Sequence, residues 1–97
     1  MTSKQHVYEI VFHPQAEKEF LKLPKKRLET ALEIIEQLKN EPRPQGVSKL
    51  SGYGSAYRIR LGQYRIIYEV HAKEIVIYVI GVAHRKDIYR KILKRLH

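Results

Sequence analysis

The stretch YRIRLGQYRII, residues 57 to 67, leaves a chain of this kind few options. Two runs in which apolar or aromatic residues alternate with arginine flank Gly62-Gln63. A two-residue loop with glycine first suits a type II′ turn, whose twist matches that of the strands it joins. That turn sets Leu61 opposite Tyr64, Arg60 opposite Arg65, Ile59 opposite Ile66, Arg58 opposite Ile67 and Tyr57 opposite Tyr68. Opposed residues share a face of the sheet and successive residues alternate faces. Tyr57, Ile59, Leu61, Tyr64, Ile66 and Tyr68 therefore make one apolar face that needs a cover. Arg58, Arg60 and Arg65 emerge together on the other face, beside Ile67.

The cover is supplied upstream. Residues 7–12 read as a short strand that ends at His13-Pro14, and Pro14 suits the first turn of a helix, where its missing N–H costs nothing. Ala16, Phe20 and Leu23 then recur at helical spacing until Pro24. A second helix is expected from Lys25 to about Lys39, with Leu28, Ala31, Leu32, Ile35 and Leu38 on one stripe, and Pro42 and Pro44 close it. Beyond Val47 the period changes to two. Residues 57–61, 64–70 and 75–82 read as strands, the last nearly all apolar as a central strand would be. Residues 86–96 place Ile88, Ile92, Leu93 and Leu96 on one face of a final helix. The expected fold is α+β: a small, mostly antiparallel sheet on an N-terminal helical hairpin, with a short C-terminal helix, in one domain spanning residues 1–97.

Composition narrows the function. The 97 residues contain no cysteine, so neither a disulfide framework nor a thiolate metal site is available, and a reducing cytoplasm is the natural compartment. The five histidines are scattered singly, and nothing suggests a metal or another cofactor. No apolar run approaches the ~18 residues of a membrane span, and the N-terminus lacks the apolar core of a secretory signal. Residues 1–42 carry seven Lys/Arg and seven Asp/Glu, whereas residues 43–97 carry twelve against three. The whole formal excess of +9 thus lies in the second part, which favours a polyanionic partner, most simply nucleic acid.

Arg60 opposite Arg65 is a repulsive cross-strand pair, worth about as much against folding as the ~0.2 to 1 kcal/mol that an opposite pair would give. A phosphate backbone would neutralise it; a solvated sheet face would merely tolerate it. Directly after the apolar strand, GVAHRKDIYRKI adds His84, Arg85 and Tyr89 near the same sheet, with Lys86 and Arg90 as further candidate RNA contacts. The set suits RNA cleavage without a metal. The 2′-hydroxyl must lose a proton, the transition state gathers negative charge, and the leaving 5′-oxygen needs a proton. Fixed guanidiniums stabilise the charge. His84 or Tyr89 would handle protons, and Tyr89 could instead stack on a base.

KLSGYGSAYRIRLGQYRIIYEV followed by IVIYVIGVAHRKDIYRKI, after a strand and two helices, resembles the RelE/ParE superfamily of type II toxins. The resemblance is to its RelE branch of ribosome-dependent mRNA endonucleases and covers nearly the whole chain. It implies a compact α+β toxin that enters the ribosomal A site and cuts the codon there. It also implies an antitoxin partner that wraps and inhibits the toxin and with it represses their shared operon. The family's basic pair on the first hairpin strand falls on Arg58 and Arg60, its next arginine on Arg65, its strand-end arginine on Arg85 and its C-terminal tyrosine on Tyr89. Lys49 matches a basic position before the hairpin that contacts RNA. Relatives often carry lysine at the positions of Arg58 and Arg60, and some use a Glu base that is missing here. Arginine does not deprotonate, which leaves His84, then Tyr89, as the proton acceptor. Two other readings remain: a ParE-like gyrase inhibitor without nuclease activity, and a non-toxic basic RNA-binding module.

Overall fold

The computed structural model describes residues 7 to 96; the two chain ends, with His6 and His97, lie outside the described residues. Strand β1 (Glu9–Phe12) leads into helix α1 (Pro14–Leu21), where His13 Nδ1 accepts the Gln15 N–H at 3.0 Å and Pro14 occupies the first turn. Pro24 separates α1 from α2 (Lys25–Leu38). Four strands follow, β2 (Ser48–Lys49), β3 (Ala56–Leu61), β4 (Tyr64–His71) and β5 (Val76–His84). The sheet runs β1-β5-β4-β3-β2, antiparallel except where β1 pairs parallel to β5.

The β3–β4 hairpin has the register expected from its turn, with Arg60 opposite Arg65 and Tyr57 opposite Tyr68. Gly62 adopts φ 62°, while Gln63 is absent from the positive-φ residues, as a type II′ turn requires. Ile59, Leu61, Ile66 and Tyr68 pack with Phe20, Ile35 and Leu38 of the helices in the larger apolar cluster. Phe12 and Phe20 meet edge to face at 5.3 Å, joining β1 to α1.

The opposite face of the sheet is also partly covered. Ile67, Ile80 and Ala56 bury against Ile88, Ile92 and Leu93 in a second cluster. The C-terminal segment that supplies these residues is shorter in regular structure than the expected helix over 86–96. Only Ile88–Lys91 is α-helical (α3), and Leu93–Arg95 forms a 3-10 turn. A turn closed by Asp87 N–H to His84 C=O at 2.7 Å uses up the first residues of the segment. Strand β5 likewise begins one residue later than expected, because Ile75 sits in the left-handed region at φ 55°. Its carbonyl there accepts the Glu9 N–H at 3.0 Å and starts the parallel pairing. A register shift between Ile67 and Tyr68 leaves Ile80 unpaired with β4 and aims it into the second cluster.

Candidate active site

One pocket of about 410 Å³ opens on the arginine face of the hairpin. Arg58 and Arg60 reach it from β3, Arg65 from β4, and Arg85 from just beyond β5. Ile88 and Tyr89, in the first turn of α3, form one wall; Gly46 and Ser48 form another. Gly46 adopts φ 95°, a conformation that brings the chain into β2 and that other residues rarely take. Ser48 pairs with Arg58 and so shares its face.

Four guanidiniums line this pocket and no carboxylate does. Arg65 is held in place by its own turn, its Nη1 donating to the Gly62 and Tyr64 carbonyls at 2.9 Å each. Partial desolvation, followed by the charges of Arg60, Arg58 and Arg85, lowers its pKa below the usual arginine value. The Arg85 backbone is fixed as well, its N–H donating to the Gln63 carbonyl at 2.8 Å. Turn, strand end and α3 thus converge on a concave, anion-seeking surface. Tyr89 stands at its edge, 65 % exposed, with its phenol available to a ligand.

The other expected site residues divide. His84 is not brought to this pocket. It pairs opposite Tyr64, whose face packs against the helices, and the two rings meet edge to face at 6.0 Å. Its Nδ1 accepts the Lys86 N–H at 3.3 Å and its Nε2 lies 3.1 Å from Gln63 Oε1, so both nitrogens are engaged there. It lines a separate depression with Glu19, Lys22 and Asp87. Lys49 is opposite Tyr57 and shares that residue's face rather than the arginines'. Its ammonium donates to the Gly54 carbonyl and lies 5.4 Å from the centre of the Tyr57 ring, which Arg43 approaches at 5.7 Å. Lys86 is exposed outside the pocket lining, and Arg90 is bound to Asp87 Oδ1 at 2.7 Å, a contact that lowers the Asp87 pKa.

Ser48, Gly46 and Ile88 were not singled out from the sequence as site residues. The face of Ser48 depends on how β2 registers against β3 across residues 50–55, and no local signal sets that register. Among the described residues, no group of three His, Asp or Glu side chains is placed to hold a metal ion.

The chain is similar in sequence and in overall fold to known proteins. Residues 10–89 match the family model described as the ParE toxin of the type II toxin-antitoxin system parDE. The Escherichia coli mRNA interferase toxin RelE is 30% identical over 93 residues, covering 92% of this chain and 97% of its own. An arginine-to-alanine double mutant of the E. coli toxin RelE in the free state superposes with a TM-score of 0.78 at 28% identity, over 94% of this chain and 99% of that one. RelE in the archaeal RelE–RelB complex of Pyrococcus horikoshii gives a TM-score of 0.74 at 38% identity, over 81% and 96% respectively.

Proposed function

Since the chain belongs to the RelE branch of the RelE/ParE superfamily of type II toxins, we propose that it is an endoribonuclease that cuts mRNA in the ribosomal A site without a catalytic metal. The observation that carries this reading is the pocket in which four arginines and one tyrosine converge with no carboxylate in the lining. A phosphodiester fits such a surface, because guanidinium pairs bind phosphate oxygens in a fork geometry and remain charged throughout.

In the proposed reaction the 2′-oxygen attacks the adjacent phosphorus, forming one P–O bond as the bond to the 5′-oxygen breaks. The products are a cyclic phosphate and a 5′-hydroxyl end. Arg58, Arg60, Arg65 and Arg85 stabilise the charge that builds on the phosphoryl oxygens, usually the largest contribution in such chemistry. Tyr89 and Ser48 carry the hydroxyls in the lining; the Tyr89 phenol, the more acidic of the two, exchanges a proton with the reacting oxygens or stacks on the base. His84 faces the other side of the sheet and has no direct part in this scheme. The 2′-proton leaves to solvent, and a phenol that protonates the 5′-oxygen regains its own proton from water.

An antitoxin is the expected protein partner, by analogy with the RelB-bound form of the P. horikoshii relative. The ribosome and its message are the expected substrate, which places the toxin in the cytoplasm. Expressed alone, the protein should stop growth and leave translated messages cut within codons, with untranslated RNA intact. Intact messages with broken chromosomal DNA would replace this reading with gyrase poisoning, and no growth phenotype would leave only an RNA-binding module.

A further inference from the structure

Strand β1 covers β5 only as far as Val79, where the His13 N–H closes on the Val79 carbonyl at 2.9 Å and the chain turns away into α1. Past that point two backbone groups of β5 are met by side chains. Glu19 Oε1, from α1, accepts the Val82 N–H at 3.2 Å, and Arg95 Nη1 donates to the Ile80 carbonyl at 3.0 Å. The two side chains also bind each other in a fork: Arg95 Nη1 to Glu19 Oε1 at 3.0 Å and Nη2 to Oε2 at 2.7 Å. Both are largely shielded, at 14% and 21% side-chain exposure.

Gly81 makes this approach possible. A Cβ there would lie 2.5 Å from Ile92 Cδ1, 2.7 Å from Arg95 Nη1 and 2.8 Å from Glu19 Oε1. The C-terminal arm, α3 and the 3-10 turn that follows it, closes directly over this backbone. A four-residue helix is far below the length that holds itself together in water, so the arm keeps its shape through what it is bound to. Tyr89 is mostly exposed, so its place in the pocket wall follows from how the C-terminal segment is docked.

We propose that Glu19 and Arg95 are positioning residues: their paired carboxylate and guanidinium latch the C-terminal arm onto the open edge of β5 and so hold Tyr89 in the wall of the arginine pocket. The catalytic part of this proposal rests on the nuclease reading above.

Single-turnover cleavage of ribosome-bound mRNA tests it. Arg95→Ala should lower the cleavage rate at saturating ribosome complex by about tenfold or more, as small misplacements of a reacting group do. The half-saturating concentration should stay within about twofold of wild type, because the four pocket arginines are untouched. In a Tyr89→Ala background the same substitution should cost less than about twofold, since the group it positions is already gone. Equal losses in both backgrounds overturn the proposal, because a reduced folded fraction acts on both alike. Glu19→Gln keeps an acceptor for the Val82 N–H and for Arg95, and should retain more of the rate than Arg95→Ala. A greater loss in Glu19→Gln counts against the latch.

Amide hydrogen exchange reads the latch without any cleavage. Arg95→Ala should speed exchange at Val82 and across residues 88–96 by about tenfold or more. Unchanged exchange in a protein that cuts mRNA overturns the latch alone. Faster exchange in a protein whose wild type cuts nothing overturns the nuclease reading, and with it the catalytic part of the proposal.

Discussion

Replacing Arg60 with glutamate should stabilise the protein while destroying its activity. Arg60 is exposed and stands directly opposite Arg65 in the hairpin. A like-charge pair in that position costs about 0.2 to 1 kcal/mol, and an opposite pair gains a similar amount. Arg60→Glu makes both changes at once, for a total of roughly 0.4 to 2 kcal/mol. Desolvation lowers the Arg65 pKa most, and the charge of Arg60 then acts on it in the same direction, more strongly than those of Arg58 and Arg85. For domains of about 60–100 residues, each kcal/mol moves Tm by roughly 4–8 °C, so a rise of several degrees is expected at low salt. The gain should fade as the ionic strength approaches about 1 M, where the screening length is near 3 Å. Thermal melts followed by circular dichroism across a salt series, with cleavage measured in parallel, check both halves. A variant that melts at or below the wild type at low salt, or whose gain ignores salt, refutes the electrostatic account of the pocket. Retained cleavage would refute its assignment to phosphate.

The double substitution Arg65→Ala with Arg85→Ala should abolish cleavage, measured on translated messages, while antitoxin binding measured by calorimetry stays largely intact. Tyr68→Phe removes the bond from its phenol to the Pro42 carbonyl at 2.7 Å and should cost about 1 kcal/mol of stability in denaturant unfolding. Burial first, and then Tyr57, raises the Tyr68 pKa, so the phenol favours folding while protonated; stability should fall as pH climbs past the ordinary tyrosine value of about 10. The Tyr68→Phe variant should lose that part of the alkaline slope. Ile92→Ala, at a fully buried position in the smaller apolar cluster, should cost about 2–5 kcal/mol and lower cleavage as well, because the arm that carries Tyr89 packs through that side chain.

The hairpin was legible from sequence because its register is local. Once Gly62-Gln63 is the turn, the period of two assigns the strand residues from Tyr57 to Tyr68 to a face: the apolar ones match the two clusters and the three arginines meet in one pocket. Helices α1 and α2 were legible for a similar reason, being bracketed by Pro14, Pro24 and Pro42. His84 and Lys49 were not, because their faces follow from pairings across the segments 72–75 and 50–55, whose lengths leave the register open. The shift between Ile67 and Tyr68 adds a further residue to β5 that no alternation pattern announces. The ion pair between Glu19 and Arg95 was the least accessible, since one partner looks like an ordinary solvated helix residue and the other like one more basic residue near the C-terminus.

The parallel pairing of β1 with β5 also sets an order of assembly. The β3–β4 hairpin and the β4–β5 pair join neighbouring segments and close short loops, whereas Glu9 must find Val76 across most of the chain. Closing that loop costs more chain entropy than either hairpin, which places β1 among the last elements to dock. Until it does, β5 presents backbone donors and acceptors along a bare apolar strand, the kind of edge on which chains pair with one another. The period before β1 docks is therefore when this protein is most prone to aggregate.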